Sequence, residues 1–261
     1  MAPRVIAASS RGAGHERSGT PNQDAFAIES SADGRCTVVA IADGHGSPRT
    51  VRTHVGSRLA AQVAVAAGFE LADRPRSPDV GAVVVREWQR AVDDDLLASP
   101  LSPAEEARLR GRGTDEVDPR HAYGATLLVA VVTEASVVLL QLGDGDALAV
   151  SPDGSTSRPV PADERLFANQ TTSLSGGDPS DVRTAELDRG PGGPALVVLS
   201  TDGYVNSFAS DDDFLAVGAD LLRLLREQGA DHVEAALPGW AAESADTSGD
   251  DTTVAVIVLA D

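Results

Sequence analysis

The apolar residues of this chain gather in short β-branched runs toward both ends of the sequence, with helical spacing between them. Arg4 to Ser9, Ala25 to Glu29 and Thr37 to Ala42 read as strands, and Ala195 to Ser200 and Thr253 to Leu259 repeat the pattern at the other end. Strands grouped in this way, instead of alternating singly with helices, place the chain in the α+β class and exclude a doubly wound parallel sheet. Val51, Val55, Leu59 and Val63 recur every four residues, Pro48 suits a first helical turn and Gly68 lies near an end, so a helix is predicted from Ser47 to Phe69. A second helix is predicted from Pro78 to Leu97, after which Pro100, Pro103 and the turn Gly111-Arg112-Gly113 interrupt the chain. Three β-rich runs follow, Ala125 to Val132, Ser136 to Leu142 and Ala147 to Ser151, joined by turns short enough for an antiparallel meander. Helical spacing returns over Asp212 to Glu227 and Ala230 to Glu243. The Gly-rich stretch Arg11 to Thr20 is expected to be loop, and residues 152–194, rich in Pro, Gly, Ser and Asp, a flexible surface excursion within one domain spanning 1–261.

Charge narrows the function. Forty Asp and Glu against 21 basic residues give a formal charge of −19, which repels phosphate backbones and anionic lipid and argues against nucleic-acid and membrane partners. The same excess is what results when carboxylates are collected to hold hard cations. Cys36 is the single cysteine, so disulfides and thiolate metal clusters are excluded, and its apolar neighbours make it a buried thiol. No apolar window approaches 18 residues and Met-Ala-Pro-Arg does not resemble a targeting segment, so a cytoplasmic monomer is expected. Trp88, Trp240, Phe167, Phe208 and Phe214 are read as packing residues.

Four acidic sites share one setting, each at the edge of an apolar β run. They are Asn22-Gln23-Asp24 before Ala25 to Ile28, Asp43-Gly44-His45-Gly46 after Val38 to Ala42, Ser200-Thr201-Asp202-Gly203 after Leu196 to Leu199, and Asp250-Asp251-Thr252-Thr253 before Val254 to Leu259. A single Asp-Gly pair is an ordinary turn former. Strand ends from distant parts of a chain, however, can meet at one edge of a sheet, and carboxylates gathered there favour Mg²⁺ or Mn²⁺.

With Gly124-Ala125-Thr126 and Gly143-Asp144-Gly145-Asp146 between them, these motifs stand in an order that resembles the metal-dependent protein serine/threonine phosphatases of type 2C, in a divergent bacterial form, from about residue 5 to residue 260. The resemblance implies two stacked antiparallel sheets flanked by helix pairs, an α-β-β-α sandwich. It implies a phosphorylated protein as substrate, hydrolysed by a metal-activated water with no covalent enzyme intermediate. It implies two tightly bound Mn²⁺ or Mg²⁺ ions and a third, weaker one. Asp43 then bridges the two ions, the Gly44 carbonyl binds the second, Asp202 and Asp250 complete the first, and Asp24 is an outer acid reaching the site through water. Asp144 corresponds to the aspartate that recruits the third ion, and His45 to the general acid for the leaving oxygen, with an alternative role in ordering a water or capping a helix.

Two positions depart from the family pattern. The arginine that clamps phosphate five residues before the acid matching Asp24 is Gly19 here, and Arg17 is the nearest replacement, though it also reads as a solvated surface residue. The usual Glu beside that acid is Gln23. His15 is read as a structural hydrogen-bonding residue before a phosphate contact. The alternative to an active phosphatase is a catalytically weak, phosphatase-like regulatory or binding module.

Overall fold

The computed structural model describes residues 2–72, 80–112, 116–163 and 171–259. Pro78, Gly113 and Phe167 therefore lie outside the described residues. Two five-stranded sheets form the centre. One has the order β1 (Arg4–Ser10), β10 (Thr252–Val258), β9 (Leu196–Ser200), β6 (Asp146–Val150), β7 (Thr156–Ser157). The other runs β2 (Ala25–Ser30), β3 (Thr37–Ala42), β4 (Leu127–Val132), β5 (Ser136–Leu142), β8 (Arg183–Asp188). All the strand pairs within them are antiparallel. Helices α2 (Thr53–Ala72) and α3 (Val80–Ala98) cover the second sheet, and α6 (Asp211–Gln228) and α7 (Ala230–Ser248) cover the first.

The pleat of β3 shows why these runs are wholly apolar. Val38, Ala40 and Ala42 point to the helix layer, while Val39 and Ile41 point to the layer between the sheets, so every residue of the strand is buried. Val197, Leu199, Ala255 and Ile257 fill the inter-sheet layer from the other side. The sandwich is thus the α-β-β-α arrangement expected from the sequence.

Several elements differ from expectation. Helix α2 begins at Thr53, not Ser47, because Thr50 Oγ1 donates to the carbonyls of His45 (2.5 Å) and Ser47 (2.8 Å) and closes a turn that contains Pro48. Val55, Leu59 and Val63 flank the contact face of α2, and the buried face is built mainly of small residues, among them Gly56, Ala60, Ala61, Ala64 and Gly68, with Val65 and Leu71 as its large side chains. A Cβ at Gly56 would collide with the Tyr123 backbone, so close approach selects small residues where periodicity alone favours valine. β6 does not continue a meander with β4 and β5. It crosses to the first sheet and pairs with β9, which turns Gly143–Asp146 into a link between sheets. The expected loop Arg11 to Thr20 contains a short helix, α1 (Ala13–Ser18), closed by Gly19 at φ 72°. The expected interruption after Pro100 contains α4 (Pro103–Arg110), started by a capping box between Ser102 and Glu105. Within 152–194, β8 forms an edge strand on β5, and β7 pairs with β6. Among the described residues no helix is long and apolar enough to cross a membrane.

Candidate active site

Strand register brings the acids to one end of the sandwich. Ala25 pairs with Ala42, so Asp24 and Asp43 follow each other directly off the ends of β2 and β3. Asp146 pairs with Ser200, so Asp144 and Asp202, each two residues further, leave the first sheet together. Asp250 stands two residues before β10, after Gly249 ends α7 at φ 82°. A cleft of about 1190 Å³ opens here, and Asp43, Gly44, His45, Asp144, Asp202 and Asp250 line it. Asp24 is not in the lining. It sits buried behind Asp43, where its Oδ2 accepts from Thr201 Oγ1 at 2.8 Å.

Local chemistry fixes each group. The Asp43 N–H donates to Thr126 Oγ1 (3.2 Å) and the Thr126 N–H to the Asp43 carbonyl (2.8 Å), so the Gly-Ala-Thr segment buttresses the end of β3. Gly44 must be glycine, since a Cβ there would collide with Thr53 Oγ1 and approach the Gln23 carbonyl to 2.9 Å. Asp202 opens the short helix α5 (Asp202–Val205), whose Gly203 passes too close to the Asp251 carbonyl for any side chain. Thr201, just before it, takes the Thr253 N–H on its hydroxyl at 2.9 Å, so β9, β10 and Asp24 are tied through one side chain. The Gly143–Asp146 link that carries Asp144 is held by Thr172 Oγ1, which accepts from the Gly143 N–H (2.9 Å), and by Arg183, which donates to the Gly143 carbonyl (2.9 Å).

The two adjacent acids, Asp250 and Asp251, have divided roles. Asp251 is 2% exposed, and its oxygens accept from the Gly12 N–H (2.7 Å) and the Gln23 N–H (2.6 Å), with His15 Nδ1 2.8 Å from Oδ2. His15, Asp250 and Asp251 offer oxygen and nitrogen atoms within 4.8 Å of one another. Asp251, though, already spends its oxygens on buried donors, which leaves Asp250 as the acid open to the cleft.

The carboxyls of Asp24, Asp43 and Asp202 are all displaced in one direction. Burial, then the charges of Asp24 and Asp202, push the Asp43 carboxyl well above the ordinary range. Burial likewise raises Asp24 to about 7, against the lowering effect of bonds from Thr253, Thr201 and Asp43. Asp202 is raised by burial and by the charges of Asp144 and Asp250. Asp24 Oδ1 and Asp202 Oδ1 are buried without a hydrogen-bond partner. A set of hard oxygen donors with unspent lone pairs fits a divalent ion. His45 is lowered by burial, with Asp144 pulling the other way, and its Nε2 is buried without a hydrogen-bond partner.

The structure does not bring Arg17 to this group; it is exposed on α1 and absent from the cleft lining. Sequence reading missed Arg49, which does line the cleft, and the structural role of Asp251. Nothing in a lone Arg within Ser47-Pro48-Arg49-Thr50 distinguishes it before α4 is known to pack beside it.

The family model described as Protein phosphatase 2C matches residues 11–240. Among solved structures, the serine/threonine phosphatase Stp1 from Staphylococcus aureus is 15% identical with a TM-score of 0.66, over 99% of this chain and 95% of that one. The Mycobacterium tuberculosis serine/threonine phosphatase PstP/Ppp is 18% identical with a TM-score of 0.60, over the whole of both chains. The catalytic domain of serine threonine protein phosphatase PstP in complex with 2 manganese ions is 19% identical with a TM-score of 0.58, over 99% of each chain. These likenesses concern the fold. Curated proteins give no match to the sequence.

Proposed function

The chain belongs to the protein phosphatase 2C family, and from that premise we propose that its cleft hydrolyses phosphoserine and phosphothreonine in proteins with Mn²⁺ or Mg²⁺ as cofactor. The observation that carries this reading is the convergence of Asp43, Asp202 and Asp24, whose carboxyls are raised first by burial and, at Asp43 and Asp202, also by neighbouring carboxylates. Like charges this close are tolerated only when protonated or neutralised by a cation.

The residue roles are our assignment. Asp43, the Gly44 carbonyl, Asp202 and Asp250 would hold two ions, Asp24 would brace Asp43 from behind, and Asp144 would serve a third, weaker ion. When bound, such ions supply an activated water and charge to neutralise the phosphoryl oxygens. The protein's part is to fix that charge in advance, on strand ends that need no rearrangement during the reaction. His45 Nε2, which has no protein hydrogen-bond partner, is assigned to the oxygen of the departing serine or threonine. Because burial lowers its pKa, His45 depends on neighbouring anions to keep its proton, and Asp144 acts in that direction.

The acidic character of every expected side-chain ligand argues against a catalytically weak binding module. We also retain, as part of this proposal, a single domain over 1–261 and a cytoplasmic monomer. The test is hydrolysis of a phosphoserine peptide by the purified chain with Mn²⁺, with Mg²⁺ and with a chelator. Release of phosphate that is equal in all three overturns the metal-dependent reading.

A further inference from the structure

We propose that Arg49 anchors the substrate, taking an oxyanion of the phosphoprotein on the two terminal nitrogens of its guanidinium. This rests on the phosphatase reading above. The chain contains no lysine, so every long cationic side chain is an arginine, and among the described residues of the cleft lining Arg49 is the only one. It stands six residues after Asp43, in the turn between β3 and α2.

Its geometry is preset by a separate part of the fold. Arg49 Nε donates to the Leu109 carbonyl at 2.7 Å, in the last turn of α4. That bond uses the inner nitrogen and fixes the plane of the guanidinium, while Nη1 and Nη2 carry no hydrogen bond or ion pair within the described residues. Other arginines of the fold are spent differently: Arg120 on Asp93, Arg158 on Asp146 and Asp211. The Leu109 carbonyl is itself held in place. The Leu109 side chain is 4% exposed, and Arg52 fastens the start of α4 to α2 through Glu105 at 2.8 and 3.1 Å and through the Ser99 and Pro100 carbonyls. A planar fork with both terminal nitrogens unpaired, in the cleft that Asp43, Asp144, Asp202 and Asp250 also line, suits a bidentate oxyanion.

Two sources supply such an anion: the phosphoryl group itself, or a carboxylate beside the phosphorylated residue. The experiment uses the full chain with Mn²⁺, as wild type, Arg49→Gln and Arg49→Lys. Calorimetry measures binding of inorganic phosphate and of two peptides with a non-hydrolysable phosphonate in place of phosphoserine, flanked by Asp in one and Ala in the other. Hydrolysis of the matching phosphoserine peptides is followed in parallel.

Arg49→Gln should weaken binding about tenfold or more, and Arg49→Lys, which keeps the charge but not the fork, should restore it only in part. A loss for inorganic phosphate and both peptides identifies the phosphoryl group as the ligand. A loss confined to the Asp-flanked peptide identifies the neighbouring carboxylate. Binding within twofold of wild type for all three probes in Arg49→Gln overturns the proposal. If wild type releases no phosphate from either peptide while Arg49→Gln still loses binding, the phosphatase reading fails and the anchor stands. Melting temperatures close to wild type verify that both variants are folded, as expected for an exposed side chain.

Discussion

His15 Nδ1 stands 2.8 Å from Oδ2 of Asp251, the buried acid whose immediate neighbour, Asp250, faces the cleft. Two consecutive aspartates thus serve different ends, one structural and one open to ligand. Asp251→Ala would leave the buried Gly12 N–H and the part-buried Gln23 N–H without their acceptor, at a cost of about 1 to 3 kcal/mol for the first and less for the second. Chemical denaturation should show a loss of this size. Asp250→Ala loses only the bond that its Oδ1 accepts from the Asp251 N–H (2.8 Å), so it should cost the metal-free protein less stability and instead chiefly lower Mn²⁺ affinity and turnover. Equal stability losses in the two variants would mean that the roles are not divided.

Asp43 is the centre of the acid cluster, and Asp43→Asn should lower the rate on aryl phosphate at least about a hundredfold, the scale of losing a preorganised charge-stabilising group. Activity within threefold of wild type would sink the assignment. Asp144 is exposed in the link between β5 and β6 and is assigned above to a third ion, so Asp144→Ala should reduce turnover while calorimetry still shows the two tighter Mn²⁺ sites proposed for the other carboxylates. Unchanged kinetics across the Mn²⁺ range would make it a turn residue only.

The strands and the acids at their ends were legible because both follow from local pattern: β-branched runs for burial, and Asp with Gly where the chain must turn at a sheet edge. What could not be read was set by tertiary approach. The contact face of α2 is chosen by the Tyr123 backbone and by Val38, which admit glycine and alanine where a hydrophobic count favours valine. β6 leaves its neighbour in sequence for β9, a choice invisible in short turns. The capping box Ser102 to Glu105 was a readable signal for α4 that the adjacent prolines obscured. Arg17 and Arg49 are alike as letters, and only the fold separates them: Arg49 lines the cleft with its Nε on the Leu109 carbonyl, and Arg17 lies outside it.

Arg17 should accordingly be replaceable. It is exposed on a six-residue helix and does not line the cleft, so Arg17→Ala should change kcat/KM on a phosphopeptide by less than twofold. A fall of about tenfold, the scale of a lost charge-assisted bidentate contact, would return phosphate binding to α1.

Glu105 links stability to pH through α4. The Arg52 guanidinium, then the Ser102 N–H, hold its carboxyl down at about 2, below the ordinary value near 4.5. The folded state therefore favours the charged form, and its stabilisation is full above about pH 4.5 and fades as pH falls toward 2. Glu105→Gln should cost about 1 to 2 kcal/mol at pH 7, at the low end for a charged bond because the pair is partly solvated. Denaturation measured at pH 7 and pH 3 should show the gap narrowing at the lower pH; a constant gap would assign the loss to packing.

The acid cluster has the opposite sign. Asp24 is raised to about 7, and Asp43 and Asp202 are raised with it, so in the metal-free fold these groups bind more protons than in the unfolded chain. Stability then falls as pH rises from about 4 through about 7, where the protons must leave a buried, crowded site. In chelator, wild type should melt lower at pH 8 than at pH 6. Asp202→Asn removes one of the repelling charges and should melt above wild type at pH 8. Mn²⁺ reverses the order, because it needs the ionised carboxylates and binds only the folded state, adding about 2.7 kcal/mol at a hundredfold excess over Kd. Wild type should thus gain most from metal at pH 8, and Asp202→Asn should gain less. Thermal melts at the two pH values, with chelator and with Mn²⁺, test both halves of the argument. An identical Mn²⁺ shift in wild type and Asp202→Asn would remove Asp202 from the ligands. A metal-free stability that rises between pH 6 and pH 8 would show that these carboxylates are not crowded in solution.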